Sequence, residues 1–160
     1  KKVMLLSKRV LDGLYFNSGE CTWKDSYIRE WLNTTFLDVA FSENEQRLIS
    51  STTNKEPLFG KWDKTGTTAT DKVFLLSSSE LSTFPSAKVK CYATEYAVIQ
   101  GVAFENTSSD WWLRSTISDY YVWPAAAEVI GFGAKYDGEV LPQNMRSTSG
   151  IRPVICISID

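Results

Sequence analysis

Two arginines sit inside apolar, strand-forming strings: Arg114 in Trp111-Trp112-Leu113-Arg114-Ser115, and Arg152 in Gly150-Ile151-Arg152-Pro153-Val154. A guanidinium taken out of water is costly unless it is paired and hydrogen-bonded. These residues are therefore either structural anchors or the floor of an anion site. The anchor reading asks for a carboxylate and backbone carbonyls around each one. The candidate carboxylates are Asp71, Glu80, Asp110 and Glu128. Under that reading, Arg152→Ala costs about 3–5 kcal/mol, as when a buried pair loses one member.

Other chemistry is narrowed by what the chain lacks. It contains no histidine. That removes the commonest general base, the usual zinc ligand and every Ser-His or Cys-His nucleophile pair. Three cysteines, Cys21, Cys91 and Cys156, carry no C-x-x-C spacing. They read as free thiols, with one disulfide plus a spare thiol as the alternative. Carboxylate chemistry would draw on a pair such as Glu105, Asp110, Asp119 or Glu128, and no spacing singles out two of them. Asp137-Gly138-Glu139 reads as a hairpin turn in preference to a calcium loop. The chain therefore predicts no catalytic residue, no cofactor and no metal.

The elements that must position the arginines come next. A chain of 160 residues is most simply one domain, 1–160, able to bury roughly 70% of its extended surface. Its formal net charge of −2 gives no field drawing it to nucleic acid or anionic lipid. No apolar run approaches a membrane span of roughly 20 residues. The start at Lys1 looks like a domain cut from a longer protein with flanking domains.

Val3–Ser7 and Arg9–Leu11 read as strands before a turn at Asp12-Gly13. Thr22-Trp23-Lys24-Asp25 has the form of a helix start, and Ile28, Trp31 and Leu32 form an apolar stripe. Asn33-Thr34-Thr35 interrupts that helix before a further turn through Phe36, Ala40 and Phe41. Ser42 to Glu45 and Ser77 to Glu80 are capping boxes, and Thr94 caps another helix. Residues 50–70 read as a long polar surface loop carrying Trp62, followed by a strand over 72–76. Strands are predicted over 111–115, 120–123, 127–130, 138–141 and 151–159, with Ile151, Pro153, Ile155, Ile157 and Ile159 as a core stripe. Early helices and late strands favour α+β with a mostly antiparallel, twisted sheet.

Four ordered strings are together distinctive. They are Thr22-Trp23-Lys24-Asp25-Ser26 with Ile28-Arg29-Glu30-Trp31-Leu32-Asn33, then Thr70-Asp71-Lys72-Val73-Phe74-Leu75-Leu76-Ser77 with Glu80, then Trp112-Leu113-Arg114-Ser115, and last Gly150-Ile151-Arg152-Pro153-Val154. From about Thr22 to its end the chain resembles domain of unknown function 6273, a bacterial family found largely in gut and other Firmicutes. No activity is established for that family, so the resemblance carries no catalytic residue. Trp31, Asp71, Trp112, Arg114 and Arg152, which lie in these strings, are read as structural residues, and the resemblance adds no other role to them. It also implies an extracellular or cell-surface location.

The order of elements is further similar to the C-type-lectin-like fold, an analogy of fold and not of function. In that outline ligands meet loops between late strands. Here the outline points to Asp119, Tyr120, Tyr121 and Trp123, with Trp62 on the long loop. Such rings stack on the apolar faces of sugars while neighbouring polar groups accept hydroxyl protons. The expectation is a non-catalytic binding module with a glycan or protein ligand. The alternatives are a structural or protein-interaction module of a larger surface protein, and then a carboxylate-based hydrolase.

Overall fold

The computed structural model describes residues 1–19, 21–55, 68–85, 89–105, 108–116, 130–134 and 140–159. It is an α+β protein with short helices and mostly antiparallel sheets. β1 (Lys2–Leu6) pairs antiparallel with β12 (Val154–Ser158), from Lys2↔Ser158 to Leu6↔Val154. On its other side β12 meets β5 (Val73–Phe74), so the order is β1-β12-β5. A five-stranded sheet runs β10 (Val140–Asn144), β9 (Ile130–Ala134), β8 (Trp111–Thr116), β11 (Thr148–Ile151), β2 (Asp12–Tyr15). Its one parallel pairing among the described residues is β8 with β11. β3 (Thr52–Lys55) pairs with β4 (Thr68–Asp71), and β6 (Phe104–Glu105) with β7 (Ser108–Ser109).

The helices lie where their caps predict, with adjustments at the first. Trp23–Asp25 forms a 3-10 turn, and Thr22 makes no side-chain cap bond. Ser26 caps instead, accepting from the Arg29 N–H, and α1 covers Tyr27–Trp31. The expected interruption at Asn33 is a π-helical turn, Leu32–Phe36, running into α2 (Leu37–Ala40). Two side chains of that turn bond back onto α1, Asn33 donating to the Arg29 carbonyl and Thr34 to the Glu30 carbonyl. Complete capping boxes open α3 (Glu43–Leu48) and α4 (Ser78–Leu81). Thr94 caps α5 (Glu95–Ile99), which stops at Gly101, whose φ of +94° suits glycine.

Several expectations are corrected. Asp12-Gly13 opens a strand, not a turn. Gly13 is small because a Cβ there would meet Val102 Cγ2 at 2.7 Å, so it marks close packing. The polar stretch 50–70 has strands at both ends. Their inward residues, Asn54, Ala69 and Asp71, are mostly polar and so hide the period-two signal. The strand expected over 72–76 is only Val73–Phe74. The long final strand is two, β11 and β12, in different sheets, because Pro153 has no N–H to continue a ladder. That break resets the phase. Val154 and Cys156 face inward, while Ile155 and Ile157 are half-buried and Ile159 is 41% exposed. The strands expected over 120–123 and 127–129 lie outside the described residues.

The core gathers Phe16, Trp23, Trp111, Trp112, Leu113 and Ile151, all essentially buried. β8 is buried on both faces, as a central strand should be. Both of its indoles are satisfied: Trp111 Nε1 donates to the Val89 carbonyl at 3.2 Å and Trp112 Nε1 to the Leu14 carbonyl at 2.8 Å.

Candidate functional site

Arg114 leaves the middle of β8 and meets α4. Its Nη1 donates to Glu80 Oε2 at 2.6 Å and its Nη2 to Oε1 at 2.7 Å, a two-pronged pair. Nη1 also donates to the Leu75 carbonyl at 2.6 Å, and the guanidinium carbon lies 5.7 Å from the Phe74 ring centre. The Arg114 side chain is 3% exposed and that of Glu80 32%. Burial raises the Glu80 carboxyl, but the Arg114 guanidinium and the Ser77 bonds outweigh it and hold the group below its usual range. Next door, the Ser78 N–H donates to Ser115 Oγ at 3.0 Å. The string Trp112-Leu113-Arg114-Ser115 therefore seats the capped start of α4 on the central strand.

A second cluster forms around Asp71, whose side chain is fully buried. Arg29 Nε donates to Oδ1 at 2.6 Å, Trp23 Nε1 to Oδ2 at 2.9 Å, and Asn54 Nδ2 to Oδ2 at 3.3 Å. Asn33 completes the join. Its Oδ1 accepts from the Lys72 and Val73 N–H groups, and its Nδ2 donates to the Val73 carbonyl at 2.8 Å. The first two family strings thus bind α1 and its π turn to the β4–β5 segment. Asp71 serves Arg29 here, correcting its candidacy as partner of Arg114 or Arg152.

Arg152 lies at the β11–β12 break and is 5% exposed. It stacks over Trp111, 4.8 Å from the ring centre, and its Nε donates to the Ser7 carbonyl at 2.9 Å. Burial opposes the charged form and lowers the group from its usual value. Burial also pushes the Cys91 thiol up. Cys91 Sγ donates to the Lys8 carbonyl at 3.1 Å. Among the described residues no disulfide joins Cys21, Cys91 or Cys156.

The remaining candidates separate by position. Trp31 packs half-buried beside Phe36, ring centres 5.5 Å apart. Trp112 is wholly buried. Trp62, Asp119, Tyr120, Tyr121, Trp123 and Glu128 lie outside the described residues, as does Asp137-Gly138-Glu139. Asp110 is buried, 7% exposed, between β7 and β8. The apolar stripe of Ile28, Trp31 and Leu32 gives no role to Ser26 or Arg29, and Asn33 enters it only as an interruption. Their signal was the Arg29/Asn33 spacing of four, one helical turn, within a family string.

A feature the sequence did not single out lies beside α5. Tyr92, Val98, Ile99 and Phe104 wall a groove of about 450 Å³, with Glu95 and Ser109 as its polar contributors. Ile99 is 80% exposed, and Tyr92 and Phe104 each 60%. Large apolar side chains grouped in the open are more informative than the same residues scattered singly. Among the described residues no three Cys, Asp or Glu side chains converge as a metal site. No helix there is long and apolar enough to cross a membrane.

No curated protein and no solved structure matches the chain. A family model described as "Domain of unknown function (DUF6273)" matches residues 1–159, reaching further toward the start than the strings from Thr22 onward imply. The buried arginines and their partners are the physical content of those strings, and the chain belongs to the DUF6273 family.

Proposed function

We propose that this domain is a non-catalytic binding module whose groove beside α5 receives an apolar side chain of a protein partner. The observation that carries this reading is the open cluster of Tyr92, Val98, Ile99 and Phe104 around a ligand-sized hollow. The arginines support it from the other side, since Arg114 and Arg152 are buried and occupied within the fold. A glycan would need several acceptors beside a ring, and the described wall of the groove offers one carboxylate, Glu95.

Peptide display selection and a glycan array, run on the wild type and on Ile99→Glu and Phe104→Ser, test the reading. The expected result is a set of peptides sharing a large apolar residue, with affinity falling at least tenfold in either variant. Binding indifferent to both substitutions, or confined to glycans, would contradict it. The lectin-like outline belongs to the same proposal. It is supported by the order of early helices, a tryptophan-bearing strand and a terminal strand, and an experimental structure superposed on that fold tests it. Export to the cell surface beside flanking domains rests on the bacterial family resemblance, and fractionation of cells producing the parent protein tests it.

A further inference from the structure

Tyr15, at the end of edge strand β2, and Tyr27, at the start of α1, are stacked in the open. Their ring centres are 4.7 Å apart and their planes differ by 10°. The rings are thus in face-to-face contact. Tyr15 is 38% exposed and Tyr27 36%. The backbone on either side is pinned: the Ile28 N–H donates to the Phe16 carbonyl at 3.2 Å, and the Tyr27 N–H to Asn17 Oδ1 at 3.1 Å. Two phenols are therefore held together by the fold, and both remain accessible to an oxidant. Ordinary core packing does not explain the pair, because both rings lie largely outside the buried cluster.

We infer that Tyr15 and Tyr27 form a modification site, at which one-electron oxidation by a peroxidase with hydrogen peroxide joins them as an intramolecular dityrosine. Each phenol gives up one electron and one proton. The two tyrosyl radicals join through a new carbon–carbon bond between ring carbons ortho to the hydroxyls. The two hydrogens on those carbons move to the phenolic oxygens as the rings become aromatic again. Hydrogen peroxide is reduced to two waters, and the protein loses two hydrogens. The product would tie β2, an edge of the five-stranded sheet, covalently to α1. The bonded backbone on either side keeps the two rings adjacent as they leave the stack to couple.

The test is peroxidase and hydrogen peroxide applied to dilute, folded protein with its thiols blocked, followed by tryptic mapping. Cleavage after Arg9, Lys24 and Arg29 places Tyr15 and Tyr27 in separate peptides, each with one tyrosine. The expected product is monomeric, lighter by two hydrogens, with those two peptides linked. Tyr15→Phe and Tyr27→Phe keep the stacked rings, and each should abolish the link. Oxidation in denaturant should abolish the preference for this pair. Tyr92 and Tyr96 are more exposed, at 60% and 56%, so chemistry governed by access alone would fall on them. Coupling there, coupling only between molecules, or no dityrosine at all would overturn the inference.

Discussion

Arg114 and Glu80 face each other with the two terminal guanidinium nitrogens each on one carboxylate oxygen, at 2.6 and 2.7 Å. The pair joins the central strand to a helix of one turn, α4, which could not hold its place by helix propensity alone. The Glu80 carboxyl is held below the usual 4.5 because the arginine and the Ser77 bonds outweigh its burial. A group whose folded value is depressed adds stability above its unfolded value and loses it as pH falls through the folded one. The pair should therefore be at full strength above about 4.5 and fade below it. Urea melts at stepped pH should show an acid-side loss in the wild type that is smaller in Glu80→Gln. Equal slopes in the two proteins would contradict this.

Asp71 should be among the least replaceable residues. Its carboxylate satisfies Arg29, the Trp23 indole and Asn54 at once, with no exposure of its side chain. Asp71→Ala leaves buried donors without an acceptor, and we expect a loss of about 3–5 kcal/mol. Asp71→Asn keeps an acceptor for the indole but removes the charge, so a loss of roughly half that follows. Denaturant melts followed by tryptophan fluorescence give both values. Losses under about 1 kcal/mol for Asp71→Ala would show that the cluster is dispensable.

Arg152 should prefer arginine to lysine. A lysine keeps the charge, but it lacks the flat guanidinium that covers Trp111 at 4.8 Å while its Nε reaches the Ser7 carbonyl. Arg152→Lys should cost about 1–2 kcal/mol and Arg152→Ala about 3–5. Equal stability of wild type and Arg152→Lys in urea would refute the stacking role.

The three thiols should differ sharply in reactivity. Cys91 is 2% exposed with its thiol pushed up by burial, and Cys156 is 5% exposed. Cys21 is partly open. A maleimide at neutral pH should label Cys21 first in native protein and the others only as it unfolds. Fast native labelling of Cys91 would contradict the burial described here.

The parts of the fold legible in the sequence are those written in local chemistry. Ser42/Glu45, Ser77/Glu80 and Thr94 announce helix starts because a cap is a contact between near neighbours. The partner of a buried arginine is a long-range fact. Glu80 and Asp71 were both candidates, and nothing local says that one serves Arg114 while the other serves Arg29. The inward face of β12 was misread because the isoleucines form a perfect alternation, yet the chain changes sheets at Pro153. β3 and β4 were missed because their inward side chains are largely polar and bonded to each other, as Asn54 is to Asp71. The groove beside α5 escaped for a related reason. Ile99 and Phe104 lie on different elements, and their openness depends on what the fold leaves uncovered.

The central claim is that the arginine strings hold this domain together and leave its contact surface elsewhere. A double-mutant cycle on Arg114→Met and Glu80→Leu, by urea denaturation at neutral pH, tests it most directly. Each single change should cost about 3 kcal/mol or more, and the double change much less than their sum, because an apolar pair replaces an ionic one. Strictly additive costs, or singles that barely shift the midpoint, would contradict the claim.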